Sequence, residues 1–183
     1  MIKLLLFRHG ETNWNVKQRF QGHTNIPLNL TGLAQAFELS QKIESEKIDL
    51  MVSSDLSRAL QTARVVMKKR PDEIPMVLSK KLRESNFGVI EGSKFSDSQA
   101  KYDNIFKIWD DPSHEKTFDV SIPDGETPRQ VINRFLECLD ESINSYPNVK
   151  TIAISTHGGV MRQVYKYLTL SLCDFRNCEV LEL

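Results

Sequence analysis

No stretch of this chain approaches the ~18 consecutive apolar residues of a membrane-spanning helix, so no membrane partner is expected. The first apolar segment, Ile2 to Phe7, is too short for the core of a secretory signal, and no small-residue cleavage site follows it. Net charge is missing too. The 24 basic residues balance 24 acidic ones, which argues against a nucleic-acid partner and requires any positive potential to be local. Cysteine is scarce: Cys138, Cys173 and Cys178 make an odd count without the spacing of a disulfide scaffold. Cys138 reads as a small core residue, and Cys173 and Cys178 as ordinary thiols in preference to a redox pair. Repeats, low-complexity tracts and interdomain linkers are absent. The expectation is a soluble, cytoplasmic protein whose 183 residues form one domain over 1–183. A chain of this length buries about 70 % of its unfolded surface.

What is present is an alternation of apolar runs and helical patterns, the mark of an α/β fold. We expect a three-layer α/β/α arrangement, with a mostly parallel sheet and helices on both faces. Ile2 to Phe7 reads as a first strand. A helix follows Leu28–Leu30, with Thr31 as its N-cap and Leu33, Ala36, Phe37 and Ile43 on its buried stripe. Asp49 to Ser53 reads as a strand, Leu56 to Lys69 as a helix and Met76 to Leu78 as a weaker strand. Thr127-Pro128-Arg129-Gln130 fits a capping box with proline at the first helical position. Val131, Phe135, Cys138 or Leu139, and Ile143 form that helix's stripe, and Pro147-Asn148 end it. Val149 to Ser155 is the next strand, and Val160, Met161, Val164, Tyr165 and Leu168 line the last helix. Residues 91–125 have poor periodicity, with Phe95, Phe106, Trp109 and Phe118 scattered among charges. They read as a short cap excursion, either roofing a site or merely covering surface.

Two of these strands end on a histidine beside glycine: Arg8-His9-Gly10-Glu11-Thr12 and Thr156-His157-Gly158-Gly159. In an open α/β sheet, ligands sit outside the carboxyl ends of the strands. A neutral imidazole is a competent nucleophile toward phosphorus near pH 7, and an arginine makes bidentate contacts to phosphate oxygens. Gly10, Gly158 and Gly159 carry no side chain to screen backbone N–H groups from an anion, and the helix after Gly159 directs its positive end there. Arg58, in the first turn of its helix, opposes the local macrodipole unless an anion or Asp55 compensates it.

The motifs in order resemble the histidine phosphatase superfamily, in the cofactor-independent branch that also resembles phosphoglycerate mutases. The resemblance rests on Arg8–Thr12 with Asn15, Gln21-Gly22, Pro27-Leu28 to Gly32 with Gln35-Ala36, and Ser53-Ser54-Asp55-Leu56-Ser57-Arg58-Ala59 through Ala63. It continues with Leu82-Arg83-Glu84, Phe87-Gly88, Glu91-Gly92, Pro123–Thr127 and Ser155–Gly159, and so covers nearly the whole chain. It implies hydrolysis of a small phosphomonoester, with no cofactor and no metal. In that scheme His9 is the nucleophile and passes through a phosphohistidine. Arg8, Arg58 and His157 hold the phosphoryl oxygens, His157 being protonated or donating. Asn15, Gln21, Gly22 and Gly158 complete the phosphate pocket, and Glu84 is the proton donor. Partial burial or a neighbour such as Glu11 would raise the pKa of Glu84; the plainer reading pairs Glu84 with Arg83. A homodimer is left open.

Mutases of this kind carry Arg-His-Tyr-Gly after the glutamate and a longer excursion, whereas Ser85-Asn86-Phe87-Gly88 follows here, which favours phosphatase over mutase. A catalytically silent binding or regulatory module is a third reading. A metallohydrolase using His9, His23, His157 and Glu84 is disfavoured by the neighbouring arginines. The family commonly continues past the segment resembling 177–183, so an edge strand or part of a lid is expected to be missing. Phe20, Phe87, Tyr102 and Trp109 are candidates for a leaving-group pocket, with core packing favoured for Phe20 and Phe87.

Overall fold

Alternating side chains in the strands divide the core between the two faces of one sheet. A computed structural model describes residues 1–68, 70 and 73–183. Its strands are β1 (Lys3–Arg8), β2 (Leu50–Ser54), β3 (Met76–Ser79), β4 (Thr151–Thr156) and β5 (Val180–Glu182). The helices among the described residues are α1 (Asn13–Val16), α2 (Leu30–Lys42), α3 (Ser57–Lys68), α4 (Phe95–Lys101), α5 (Asp103–Trp109), α6 (Pro128–Ser145) and α7 (Gly158–Thr169). The sheet order is β3-β2-β4-β1-β5. The first four strands are parallel and β5 runs antiparallel to β1.

Leu5 and Phe7 of β1, Met51 of β2 and Ala153 of β4 face Leu39 and Ile43, at the end of α2, and Ala63 and Val66 of α3. Their neighbours Leu6, Leu50, Val52, Ile152 and Ile154 face the opposite way, onto Val131, Phe135 and Cys138 of α6 and Val160, Met161 and Val164 of α7. Each fully buried aliphatic side chain of this kind contributes about 1.5–3 kcal/mol. The result is the three-layer α/β/α arrangement, with β1 and β4 adjacent so that His9 and His157 leave neighbouring strand ends.

Several local expectations change. The N-cap of α2 is Asn29, whose side chain accepts from the Gly32 N–H, and not Thr31. Leu33 and Phe37 are 40 % and 45 % exposed. The buried ridge is Gly32, Ala36 and Ser40 with Leu39, because small residues four apart let α2 approach the turn after β1. A Cβ at Gly10 would lie 2.3 Å from the Gly32 carbonyl oxygen. The helix expected over 56–69 spans Ser57–Lys68, and Lys69 lies outside the described residues. The capping box of α6 forms as expected, with Thr127 and Gln130 bonded reciprocally. In α7, Leu168 is 57 % exposed while Lys166 is fully buried. There the helix is covered by the excursion, which packs on a different stripe from the one that meets the sheet. Residues 91–125 hold the two short helices α4 and α5, and the edge of the sheet is occupied by β5. No helix among the described residues is long and apolar enough to cross a membrane.

Candidate active site

A cavity of about 410 Å³ opens at the carboxyl ends of β1 and β4. Arg8, His9, Asn15, Gln21, Arg58, Glu84 and Gly158 line it. His157 lies behind this wall, its ring 5.2 Å from that of His9, edge to face. Gly22 does not line it.

His9 is buried at the end of β1. Its Nδ1 lies 2.6 Å from the Gly10 carbonyl oxygen. A carbonyl only accepts, so Nδ1 carries the proton and Nε2 keeps its lone pair. Burial, followed by the nearby charges of Arg58 and Arg8, pushes the His9 pKa well below 6.5. The ring is therefore neutral at physiological pH. Gly10 is needed for close packing on α2, and its N–H donates to Thr62 Oγ1 at 3.1 Å. That N–H is consequently not part of an anion cradle, contrary to the expectation from glycine alone.

Arg8 donates through one terminal nitrogen to the Phe175 carbonyl at 2.6 Å. Its Nε is buried and has no hydrogen-bond partner among the described residues. A buried guanidinium N–H left unpaired costs about 1–3 kcal/mol or more, which an anion at this place would offset. A Cβ on Gly158 would lie 3.1 Å from that nitrogen, so glycine keeps the donor clear.

Arg58 is fully buried at the start of α3. It donates to the Thr24 carbonyl at 2.9 Å, to the Gly22 carbonyl at 2.8 Å and, through Nε, to His157 Nδ1 at 3.2 Å. Burial lowers its pKa to about 10, still well above neutrality. The pairing of Arg58 with Asp55 does not occur, because Asp55 takes both hydrogen bonds of Arg83, at 2.7 and 2.6 Å. Gly22 serves as this carbonyl and adopts φ +50°. A Cβ there would fall 1.8 Å from Glu91 Oε1, so only glycine fits.

Of the two states expected for His157, protonated or donating while neutral, the contacts fit the neutral one. Its Nδ1 accepts from Arg58, which is always a donor, and its Nε2 lies 2.9 Å from Ser54 Oγ. Both ring nitrogens are engaged as in a neutral imidazole protonated on Nε2. Burial first, then Arg58 and His9, lower its pKa well below 6.5. The positive charge of the site therefore comes from the two arginines.

Glu84 is buried and is not paired with Arg83. Its oxygens accept from the N–H groups of Ser85 at 2.8 Å, Gly159 at 3.0 Å and Val160 at 3.2 Å. The N-terminus of α7 thus holds this carboxylate, where a free anion site was expected. A Cβ on Gly159 would stand 2.4 Å from Glu84 Oε1. Glu11 is turned elsewhere and accepts from Asn29 Nδ2 at 2.8 Å. Asn15 Oδ1 accepts from the Thr12 N–H at 3.0 Å, and Thr12 Oγ1 lies 3.0 Å from Gln21 Oε1.

Two positioning residues were not found in the sequence. Arg134 of α6 donates to the carbonyls of Lys81, Arg83 and Glu84 at 2.7, 2.6 and 2.9 Å and pairs with Glu126. Ser54 fixes His157. The carbonyl contacts of Arg134 and the contact of Ser54 with His157 join residues about 50 or more apart in sequence, so no local pattern marks them. At the far end, Phe20, Phe87, Phe95, Phe106 and Trp109 line the cavity, and Tyr102 does not. The Phe20 ring lies 5.0 Å from Phe87 and 4.5 Å from Phe95. His23 Nε2 donates to the Glu84 carbonyl, 2.9 Å away, because a carbonyl only accepts. Among the described residues no three His, Cys, Asp or Glu side chains are grouped to hold a metal ion.

Comparison with known proteins places the chain in a family. The profile of the histidine phosphatase superfamily (branch 1) matches residues 4–182. A broad-specificity phosphatase of Saccharomyces cerevisiae is 34 % identical over 173 residues, covering 92 % of this chain and 70 % of that protein. Phosphoglycerate mutase-like protein 4 of Arabidopsis thaliana is 31 % identical over 166 residues, 90 % of this chain and 70 % of that one. In fold, a mycobacterial glucosyl-3-phosphoglycerate phosphatase superposes with a TM-score of 0.87 at 23 % identity, over 100 % of this chain and 92 % of its own. These relatives support phosphatase or phosphoryl-transfer activity. The chain belongs to the histidine phosphatase superfamily.

Proposed function

We propose that this protein hydrolyses a small phosphomonoester in two steps through a phosphohistidine on His9. The observation that carries the reading is the His9 tautomer: Nδ1–H is committed to Gly10, which leaves the Nε2 lone pair on a ring that lines the cavity. Nε2 attacks phosphorus and the ester P–O bond breaks, with Glu84 giving its proton to the departing oxygen. Water then attacks the phosphorus and passes a proton to Glu84, and the P–N bond breaks to release inorganic phosphate.

Arg8 Nε, unpartnered among the described residues, and Arg58 stabilise the equatorial oxygens. Asn15, Gln21 and Gly158 edge the same space. His157 acts first by holding Arg58; a direct contact with phosphate requires its Nε2–H to leave Ser54 Oγ. Gly22 acts through its carbonyl on Arg58. Phosphorus needs no divalent metal here, because two guanidinium groups supply the charge and would repel a cation.

The short excursion, with only α4 and α5 as helices, favours hydrolysis over retention of a phosphoenzyme for re-transfer. The test is single-turnover reaction with a radiolabelled ester, quenched by denaturant at alkaline pH. Base-stable, acid-labile label on His9 is expected, and its absence would refute the two-step route. Undiminished activity after chelator treatment is expected, and 3-phosphoglycerate in the substrate panel tests for mutase activity.

A further inference from the structure

Lys166 is the one lysine buried completely among the described residues, at 0 % exposure, and the proposed chemistry does not use it. No carboxylate forms an ion pair with it among the described residues. Its Nζ lies 3.2 Å from the Trp109 carbonyl oxygen, 3.2 Å from Thr117 Oγ1 and 3.4 Å from the Thr117 carbonyl oxygen. The Phe118 ring centroid is 4.9 Å away. The Thr117 hydroxyl donates its own hydrogen to the Ile108 carbonyl at 3.0 Å, so toward Lys166 it can only accept. Three acceptors therefore face one nitrogen, and an ammonium has three N–H groups for them. A neutral amine has two, and would turn its lone pair on the third oxygen.

Arg162 stands one turn earlier on α7 and pairs with Asp110 at 2.5 Å and with Asp174. Residues four apart share a helix face. This cationic stripe thus grips Trp109, Asp110 and Thr117, all in the excursion, from the same helix whose first turn holds Glu84. Trp109 in turn forms a wall of the cavity and contacts Phe106, ring centroids 5.4 Å apart.

We propose that Lys166 is a positioning residue that docks the excursion on α7 and so sets the aromatic wall selecting the leaving group. The selectivity rests on the phosphatase reading above; the docking does not. Burying an unpaired ammonium is unfavourable, so this lysine is not explained by stability. Burial, reinforced by Arg162 and opposed by Asp110, lowers its pKa to about 8. The other charge near the cradle is Arg129 of α6, 5.9 Å from the Phe118 centroid and paired with Asp119. The sign is informative. The unfolded chain keeps the lysine proton up to about pH 10.5, so global stability does not fall as Lys166 deprotonates near pH 8. By the same linkage, undocking that returns Lys166 to water becomes less favourable over that range, so docking of the excursion should tighten.

The test compares wild type with Lys166→Met and Thr117→Val. Three measurements are made: thermal stability, amide exchange of residues 103–118 corrected for intrinsic chemistry, and kinetics on phenyl phosphate and glycerol phosphate. Lys166→Met is expected to keep or raise Tm while exchange in 103–118 accelerates about tenfold. The kcat/KM for phenyl phosphate should fall about tenfold through KM, with glycerol phosphate changed less than about twofold. Wild-type exchange in the same segment should slow across pH 8 after that correction, and the variant's should not.

Unchanged exchange and unchanged substrate ratio would overturn the proposal. So would a large loss of Tm with equal losses on both substrates. If Lys166→Met does not fold, exchange and the substrate ratio of Thr117→Val decide, and no effect in either refutes it. If wild type hydrolyses neither ester, the phosphatase reading has failed, while exchange still decides the docking.

Discussion

The phosphate end of the cavity and the end beneath residues 91–125 hold their shape by different means. At the first, each nitrogen of His157 and all three on Arg58 have named partners at 2.8–3.2 Å, and Thr62 ties Gly10 to the Arg58 carbonyl. At the second, ring edges meet ring faces at 4.5 and 5.4 Å around Phe20 and Phe106, which lie tilted on each other at 5.8 Å. Hydrogen bonds in a buried site are directional and costly to leave unmade. Aromatic contacts are broad in geometry and tolerate replacement of similar volume. Chemistry is therefore expected to be intolerant at one end, and selectivity adjustable at the other.

The comparison breaks most visibly at His9. His9→Ala is expected to lower hydrolysis of any ester by on the order of 10⁴-fold, read as kcat on nitrophenyl phosphate; near-normal turnover would remove the nucleophile from this end. Next is Glu84→Gln. It should cost about 10²–10³-fold on alkyl esters and much less on nitrophenyl phosphate, whose leaving group needs little protonation. Equal losses on both would take the proton donor away from Glu84.

A third prediction concerns acid. His9 and His157 have pKa values depressed well below 6.5. Below pH 6.5 the unfolded chain therefore binds protons that the folded chain refuses, and their stabilising contribution is lost as pH falls toward the folded values. Urea unfolding should show stability declining by up to about 1.4 kcal/mol per pH unit for each histidine in that range. The acid limb of kcat/KM should likewise lie below 6.5. The smallest effect is expected at the aromatic end. Phe106→Leu should shift KM for phenyl phosphate by about three- to tenfold and leave kcat on glycerol phosphate within about twofold.

Legibility in the sequence follows the same division. Arg8-His9-Gly10 and Thr156-His157-Gly158 are visible because a strand end, a turn and a helix start lie within a few residues. The Thr127–Gln130 capping box is visible for the same reason. Helix phase was harder: the stripe through Leu33 and Phe37 was plausible on hydrophobicity, and the Gly32-Ala36-Ser40 ridge won because α2 packs closely on Gly10. Arg134, Ser54 and Lys166 were not legible at all. Each acts on residues far away in sequence, and a buried lysine facing carbonyls has no local signature.

The sequence by itself determined the α/β class, the two strand ends that carry a histidine and the side-chain types around each, because these follow from short-range periodicity; that the two strands are neighbours came from the sheet order. Only the tertiary structure decided the protonation pattern. Whether an imidazole nitrogen carries a proton depends on which donor or acceptor faces it, and for His157 those are Arg58 and Ser54, brought from another strand and helix. The same holds for Lys166, whose three acceptors all come from a segment with no readable period.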